Sequence, residues 1–172
     1  MLVRGLIAVM AMATLLAGCR QEQPEYGCFR PTPLRGWASG DTLTFTVALP
    51  PDTLSSDTRH SYSLLLCLRS DRRYTRTGVM LRVEQRLDTV SRRRVAFPMS
   101  DDYGRSYGSG IAVNQHCRHL ADVSMSQKDT LHVYVTPDTA PGDTLHGITD
   151  VGLLLTDNTT NTETKHITQK TQ

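Results

Sequence analysis

Apolar and polar residues alternate along much of the chain, which is the period of half-buried β-strands. The stretches that show this alternation are residues 43–49, 62–68, 79–87, 95–99, 131–135 and 151–155. Residues 62–68 differ because apolar side chains occupy both sides, as expected of a central strand buried on both faces. Residues 112–121 lack clear alternation, and we expect one short helix there.

Turn-forming residues separate these stretches. Examples are Pro50-Pro51-Asp52, the run from Asp101 to Gly104, and Pro141-Gly142-Asp143. Short strands divided by such turns at close intervals are typical of two packed antiparallel sheets. The sequence therefore predicts an all-β fold, an antiparallel β-sandwich of immunoglobulin-like or jelly-roll-like form.

The first 18 residues have a different character. Fourteen of them are apolar and Arg4 supplies a positive charge near the start, as in an export signal. The last three of these residues and the next one, Leu16-Ala17-Gly18-Cys19, resemble the bacterial lipobox, in which the cysteine is acylated and becomes the new N-terminus. The alternative is ordinary cleavage beside a fortuitous cysteine. We expect lipidation at Cys19, which would attach the protein to a membrane through its N-terminus.

Composition divides the chain into four segments. Residues 1–18 are the expected lipoprotein signal peptide, and residues 19–36, rich in proline and without an apolar period, are the expected flexible tether. Residues 37–156 hold the alternating stretches and form the predicted β-sandwich domain. Residues 157–172 are polar and are predicted to be a tail.

The overall charge excludes little, but basic residues are clustered. The chain has 19 Lys and Arg against 17 Asp and Glu, which gives a net charge of +2. Aromatic residues are not interleaved with the basic residues, as they are where bases stack on a protein. We therefore do not expect nucleic acid as a partner. Two clusters flank predicted turns: Arg69, Arg72, Arg73 and Arg76, and then Arg92, Arg93 and Arg94. They could form one basic patch for anionic headgroups or an acidic partner, or could equally be charges that keep strand edges soluble.

Three cysteines remain after Cys19 is assigned to lipid. Export to an oxidising compartment makes one disulfide plausible, and an odd number leaves one thiol over. Cys67 with Cys117 is the first choice, because Cys67 lies on the predicted central strand and Cys28 lies in the predicted tether.

Motifs for catalysis or metal binding are weak. The run from Gly104 to Gly108 matches G-x-S-x-G, but that motif needs a strand before the serine and a helix after it, and loop residues flank this one. His116-Cys117-Arg118-His119 offers metal-binding side chains without a second group of ligands. We therefore expect no catalytic residue, no metal and no cofactor.

Asp-Thr followed by an apolar or small residue recurs along the chain. This triplet suits the start of a strand after a turn, and it also resembles the acceptor of a general O-glycosylation system of exported bacterial proteins. The candidate acceptors are Thr42, Thr53, Thr89, Thr130, Thr139 and Thr144.

Taken together, the chain resembles the gliding-motility lipoprotein GldH family over most of residues 37–155. The resemblance rests on Gly36-Trp37 with the strand that follows Asp41, on Phe97-Pro98-Met99-Ser100-Asp101 with its glycine-rich loop, and on the string from His146 to Leu153. Departures include a long polar stretch at 50–59 and richer basic clusters. The resemblance implies a non-catalytic, outer-membrane-directed envelope lipoprotein with protein partners in a motility or secretion complex. The residues just after Cys19, Arg20-Gln21-Glu22-Gln23, contain no strong acidic export run, so we expect the periplasmic face of that membrane.

A second hypothesis places the same sandwich in a different class, as a lipid-anchored binding module for glycan or peptide. Its candidate stacking residues are Trp37, Tyr103 and Tyr107, because aromatic rings pack against sugar rings and peptide side chains.

Overall fold

The computed structural model describes residues 24–51 and 58–158, in which the elements of secondary structure are β-strands joined by turns and loops. The strands are β1 (Tyr26–Pro31), β2 (Trp37–Ala38), β3 (Leu43–Ala48), β4 (His60–Ser70), β5 (Gly78–Arg86), β6 (Val90–Pro98), β7 (Asn114–Met125), β8 (Thr130–Pro137), β9 (Thr144–Leu145) and β10 (Ile148–Asp157). All of the strand pairs are antiparallel.

Two four-stranded sheets enclose the core. The first sheet has the order β1-β10-β4-β7 and the second has the order β3-β8-β5-β6, while β2 and β9 form a separate short pair. The central strands contribute many of the buried apolar side chains, such as Leu66 on β4, Val83 on β5 and Leu153 on β10. The predicted all-β antiparallel sandwich is confirmed.

The predicted strands are all present, and most are longer than the apolar pattern indicated. β4 runs from His60 to Ser70, beyond the 62–68 stretch, and its Leu64, Leu66 and Leu68 are completely buried. The extensions of β4 are the polar residues His60, Ser61, Arg69 and Ser70, which continue the backbone pairing with β7 although they do not extend the apolar pattern.

The expected helix at 112–121 is wrong. That stretch lies mostly in β7, an edge strand that pairs with β4. The register of this pair shifts between Leu64 and Leu65, and a bulge of this kind breaks the alternation that identifies a strand. The buried side chains of β7 include His116, Leu120 and Met125, whose spacings of about four resemble a helical period.

The structure also places the start of the fold before residue 37. β1 lies inside the segment assigned to the tether, and it pairs along its whole length with β10, from Tyr26 opposite Leu155 to Pro31 opposite Asp150. Its sequence, YGCFRP, has no apolar period, because an edge strand needs only backbone partners and a few side-chain contacts. The stretch between Cys19 and the first strand is therefore shorter than predicted.

The two glycines of the closing string have different structural reasons. Gly147 has a positive φ of 85°, and a Cβ built on it would lie 2.2 Å from the backbone nitrogen of Tyr74. Gly152 lies beneath the ring of Phe29, and a Cβ there would lie 2.3 Å from a ring carbon. Arg69 covers the same ring, with its guanidinium carbon 3.8 Å from the ring centroid. Backbone conformation fixes one glycine and close packing fixes the other.

Candidate functional site: an arginine groove on the second sheet

The outward face of the second sheet is polar and basic. Strand pairing sets Arg82 beside both Thr136 and Arg94, and sets Glu84 beside both Tyr134 and Arg92. Arg86 lies two residues beyond Glu84 on the same face. A groove of about 730 Å³ opens over this face, and we call it the arginine groove. Its lining includes the polar and charged residues Thr42, Arg82, Glu84, Arg86, Arg92, Arg93, Arg94, Tyr134 and Thr136.

Two carboxylates hold the arginines: Glu84, which lines the groove, and Asp138, which lies beside it. Glu84 accepts hydrogen bonds from Arg86 Nε at 2.5 Å and from Arg92 Nε at 2.6 Å. Asp138 forms ion pairs with Arg82 and Arg94. The Arg92 and Arg94 side chains are nevertheless 73% exposed, against 21% for Glu84 and 16% for Asp138. The carboxylates thus lie deeper than the guanidinium groups they orient.

The balance of charge in the groove is positive. Arg82, Arg86, Arg92 and Arg94 face Glu84 and Asp138, which leaves a net charge of +2 for these six side chains. Hydrogen bonds first from Arg92 and then from Arg86 lower the pKa of Glu84, so this carboxylate stays ionised. An anion entering the groove would meet guanidinium groups already positioned for hydrogen bonding.

Uncharged groups complete the surface. Tyr134 lies under Arg86, whose guanidinium carbon is 4.9 Å from the ring centroid. Thr42 and Thr136 share a hydrogen bond of 2.8 Å between their hydroxyl oxygens at the edge of the groove. The groove therefore offers hydroxyls as well as cations.

The sequence hypothesis of one basic patch differs from this arrangement. Arg69 lies on the first sheet and stacks on Phe29, while Arg73 and Arg76, in the β4–β5 loop, pair with Asp71 and Asp143. Arg93 points toward the other sheet, where its Nη1 donates to the Leu120 carbonyl at 2.6 Å. Arg92 and Arg94 bring their exposed guanidinium groups into the groove, whereas Arg93 between them lines the groove but turns its guanidinium toward β7, because alternate residues of a strand face opposite sides.

Sequence reasoning missed Arg82, Arg86 and Tyr134 as members of a shared site. Arg82 and Arg86 occupy polar positions in the alternation of residues 79–87, and that alternation carries no information on which strands lie beside them. β8, which supplies Tyr134, is more than 40 residues further along the chain.

A second surface lies on the loops at one end of the sandwich. In the first sheet, Pro31, Ser70, Asn114 and Ile148 all lie at this end, which we call the far end, whereas β1 begins at the opposite end. Large side chains are exposed on the far-end loops: Leu34 (98%), Tyr103 (86%), Tyr107 (63%) and Ile111 (99%).

The prediction that Trp37 is a surface stacking residue is wrong, because its ring is buried in the core. Its side chain is 0% exposed, and its indole nitrogen donates to the Asp41 carbonyl at 2.9 Å. Tyr103 and Tyr107 remain exposed, in the loop between β6 and β7. A tryptophan at the start of the folded unit contributes more as core than as surface, because burying its large apolar area is favourable.

Neither motif considered for catalysis or metal binding has the required geometry. Ser106 forms an isolated bridge with Ser100 and lies in a loop, without the strand and helix that an elbow needs. In β7, His116 is buried while His119 is exposed and pairs with Asp122 at 2.9 Å. Across the described ranges 24–51 and 58–158, no group of three or more potential ligands comes together.

The structure joins Cys67 and Cys117 in a disulfide, leaving Cys28 as a partly buried thiol on β1. The two bonded cysteines lie directly opposite each other on β4 and β7, with Cα atoms 4.0 Å apart. The bond therefore ties the edge strand β7 to the centre of the first sheet.

The candidate acceptor threonines differ in accessibility. Thr42, Thr89 and Thr130 are exposed, while Thr139 and Thr144 are partly buried. Thr53 and the candidate lipid attachment at Cys19 lie outside the described residues.

None of the helices in the part of the chain that the structure covers is long and apolar enough to cross a membrane.

These observations define a class of protein: a single antiparallel β-sandwich domain with a basic groove on one sheet and exposed loops at one end. The family model described as GldH lipoprotein matches residues 25–155, and the chain belongs to this family. The match begins at the first strand, in agreement with the observed start of the fold. No curated protein matches the chain.

Several solved structures show a distant likeness. An α-glucuronidase, BtGH115A, has 15% identity and a TM-score of 0.41 over 80% of this chain and 18% of its own. Latent PorU from Porphyromonas gingivalis has 11% identity and a TM-score of 0.32 over 82% of this chain and 14% of its own. The chain thus spans less than a fifth of either protein. Likeness at such TM-scores carries no conclusion about function.

Proposed function

We propose that this protein is a non-catalytic, envelope-anchored lipoprotein that supplies an interaction surface to a gliding motility or secretion apparatus. Family membership over residues 25–155 is the observation that carries the proposal. The lipobox-like Leu16-Ala17-Gly18-Cys19 supports anchoring, and the proposed location is the periplasmic face of the outer membrane. The proposal includes no catalytic residue.

The direction of the first strand supports a defined orientation. β1 begins at Tyr26, so about six residues connect it to Cys19 and can span at most about 20 Å. Because β1 starts at the end opposite the far-end loops, a lipid at Cys19 would hold that opposite end near the bilayer. Tyr103, Tyr107 and Ile111 would then point away from the membrane, toward envelope proteins.

Fatty-acid labelling tests the anchor. Wild-type protein should incorporate labelled palmitate and fractionate with membranes, and Cys19→Ser should lose both properties. Protease treatment of whole cells before and after outer-membrane permeabilisation then tests the face, with digestion expected only after permeabilisation. Labelling that persists in Cys19→Ser contradicts the anchor, and digestion of intact cells contradicts the periplasmic location.

Site-specific photocrosslinking tests the interaction surface. A photoreactive amino acid at Ile111, 99% exposed on a far-end loop, should give a discrete crosslinked protein band in intact cells. The matched control is the same amino acid at Thr89, which is exposed in the β5–β6 hairpin at the other end. A partner band of equal intensity from both positions, or from neither, would count against a far-end partner surface. Identification of the band by mass spectrometry decides whether it belongs to a motility or secretion complex.

A further inference from the structure

The arginine groove combines excess positive charge with an open, hydroxyl-lined shape. Four of its arginines pair with only two carboxylates, Glu84 in the groove and Asp138 beside it, and both carboxylates are less exposed than the arginines. Charged side chains that only keep a strand edge soluble need no such concave arrangement. A groove of about 730 Å³ has room for a ligand of several rings.

The spacing of the arginines indicates an extended ligand. Arg92 and Arg94 lie two residues apart on β6, a rise of about 7 Å along the strand, and Arg94 faces Arg82 across a strand spacing of about 5 Å. A small inorganic anion would be held by converging side chains. Charges distributed over two strands instead suit a chain that carries acidic groups at intervals.

The uncharged residues distinguish among polyanions. Thr42 and Thr136 place hydroxyls at the edge of the groove, which suits a ligand rich in hydroxyl groups. Tyr134 already carries the Arg86 guanidinium on its ring, so its face offers little for stacking a nucleobase. These features favour a saccharide over a single-stranded nucleic acid.

We propose that the arginine groove binds an anionic glycan, a saccharide whose carboxylate or phosphate groups pair with Arg92, Arg94 and Arg82. Glu84 and Asp138 act as positioning residues that hold the guanidinium groups toward the ligand. This binding site goes beyond the envelope role proposed above and does not depend on the far-end loops.

The test measures binding of the detergent-solubilised full chain to polygalacturonate, to phosphomannan and to neutral dextran. Wild-type protein should bind one or both acidic polymers and not dextran, and a tenfold rise in salt should weaken binding. Binding to polygalacturonate alone assigns carboxylates as the recognised group, and binding to phosphomannan alone assigns phosphates. Failure to bind either acidic polymer, or equal binding to dextran, overturns the proposal.

Two variants that remove the same charge from different places distinguish binding in the arginine groove from attraction by the overall charge of the protein. Arg92→Gln/Arg94→Gln removes two exposed guanidinium groups and should weaken binding about tenfold or more. Arg73→Gln/Arg76→Gln removes the same charge from the β4–β5 loop, where both arginines are ion-paired and exposed, and should stay within about twofold of wild type. Equal losses in the two variants overturn the proposal, as does equally tight binding of polyuridylate. Unchanged thermal unfolding of both variants shows that the fold is intact.

Discussion

Several single residues are determined by their backbone or immediate surroundings. Gly147 combines a positive φ with backbone atoms of the β4–β5 loop in the place of a side chain, and Gly152 leaves space for Phe29. His116 is buried on β7, where its Nε2 lies 3.5 Å from the Ser70 hydroxyl and its ring covers Gly108. Each arrangement predicts a measurable effect on stability.

Gly147→Ala should destabilise the protein by more than Gly142→Ala. Both glycines have a positive φ, 85° and 83°, so both substitutions strain the backbone by about 1 kcal/mol. A Cβ at Gly142 meets nothing within 4 Å, whereas one at Gly147 overlaps the backbone of Arg73 and Tyr74. Urea unfolding should give a loss of about 1 kcal/mol for Gly142→Ala and about 3 kcal/mol or more for Gly147→Ala. Equal losses would show that the close approach does not constrain the loop.

His116 should make the protein less stable as the pH falls below neutrality. Burial lowers the pKa of His116 below its ordinary value of 6.5, so the unfolded chain binds a proton more readily than the folded one. The stabilisation is complete above about pH 6.5 and decreases as the pH falls toward the folded pKa. Thermal unfolding from pH 7.5 to 5 should show a smaller pH dependence for His116→Gln than for wild type. The control is His132→Gln, at a histidine of β8 that is only partly buried; an equal change in both variants would exclude His116 as the cause.

Among the strands, β1 and β7 at the edges of the first sheet are held by individual side-chain contacts in addition to backbone pairing. β7 has few buried apolar side chains, and it is connected to β4 by the Cys67–Cys117 disulfide and to β6 by Arg93. β1 contributes Phe29, which packs over β10. Central strands need no such connections because apolar burial on their inner faces holds them.

Loss of the disulfide should destabilise the domain. The bond closes a loop with a sequence separation of 50, so its removal by Cys67→Ser/Cys117→Ser should lower the free energy of unfolding by about 2–5 kcal/mol. Cys28→Ser, at a partly buried thiol outside the disulfide, should cost about 1 kcal/mol or less. Urea unfolding with and without reductant measures both effects. Insensitivity of the wild-type protein to reductant would contradict this stabilising role.

At the scale of the whole molecule, the two sheets give the protein distinct surfaces. The arginine groove lies on the outward face of the second sheet, and the exposed Tyr103, Tyr107 and Ile111 lie at the far end. A lipid at Cys19 would lie at the end opposite those loops. A protein held in this way could contact a glycan on its side and a protein partner at its far end.

Accessibility predicts which Asp-Thr sites can be glycosylated after export. Thr89 is exposed in a hairpin turn, whereas Thr139 is partly buried and its hydroxyl oxygen is enclosed. We expect the intact mass of the mature protein from its native host to exceed that of peptide plus lipid, and Thr89→Ala to reduce this excess. Thr139→Ala should leave it unchanged. A wild-type mass equal to peptide plus lipid would exclude glycosylation.

The class of fold and most strands of the core are predictable from the amino-acid sequence alone. Alternation in residues 43–49, 79–87 and 131–135 identified β3, β5 and β8, because a side chain facing a core must be apolar wherever the chain is extended. The resemblance to the GldH family was also readable from short strings such as the one ending at Leu153, and the family match confirms it.

The edge strands of the first sheet and the groove, by contrast, follow from the tertiary structure. β1 and β7 depend on backbone pairing with distant strands, which leaves little apolar pattern in their own residues. The groove depends on which strands are neighbours, since Tyr134 reaches Glu84 and Arg92 only through the order β8-β5-β6. Local periodicity records which side of a strand meets the core, and strand order, set by long-range pairing, decides which outward side chains meet one another.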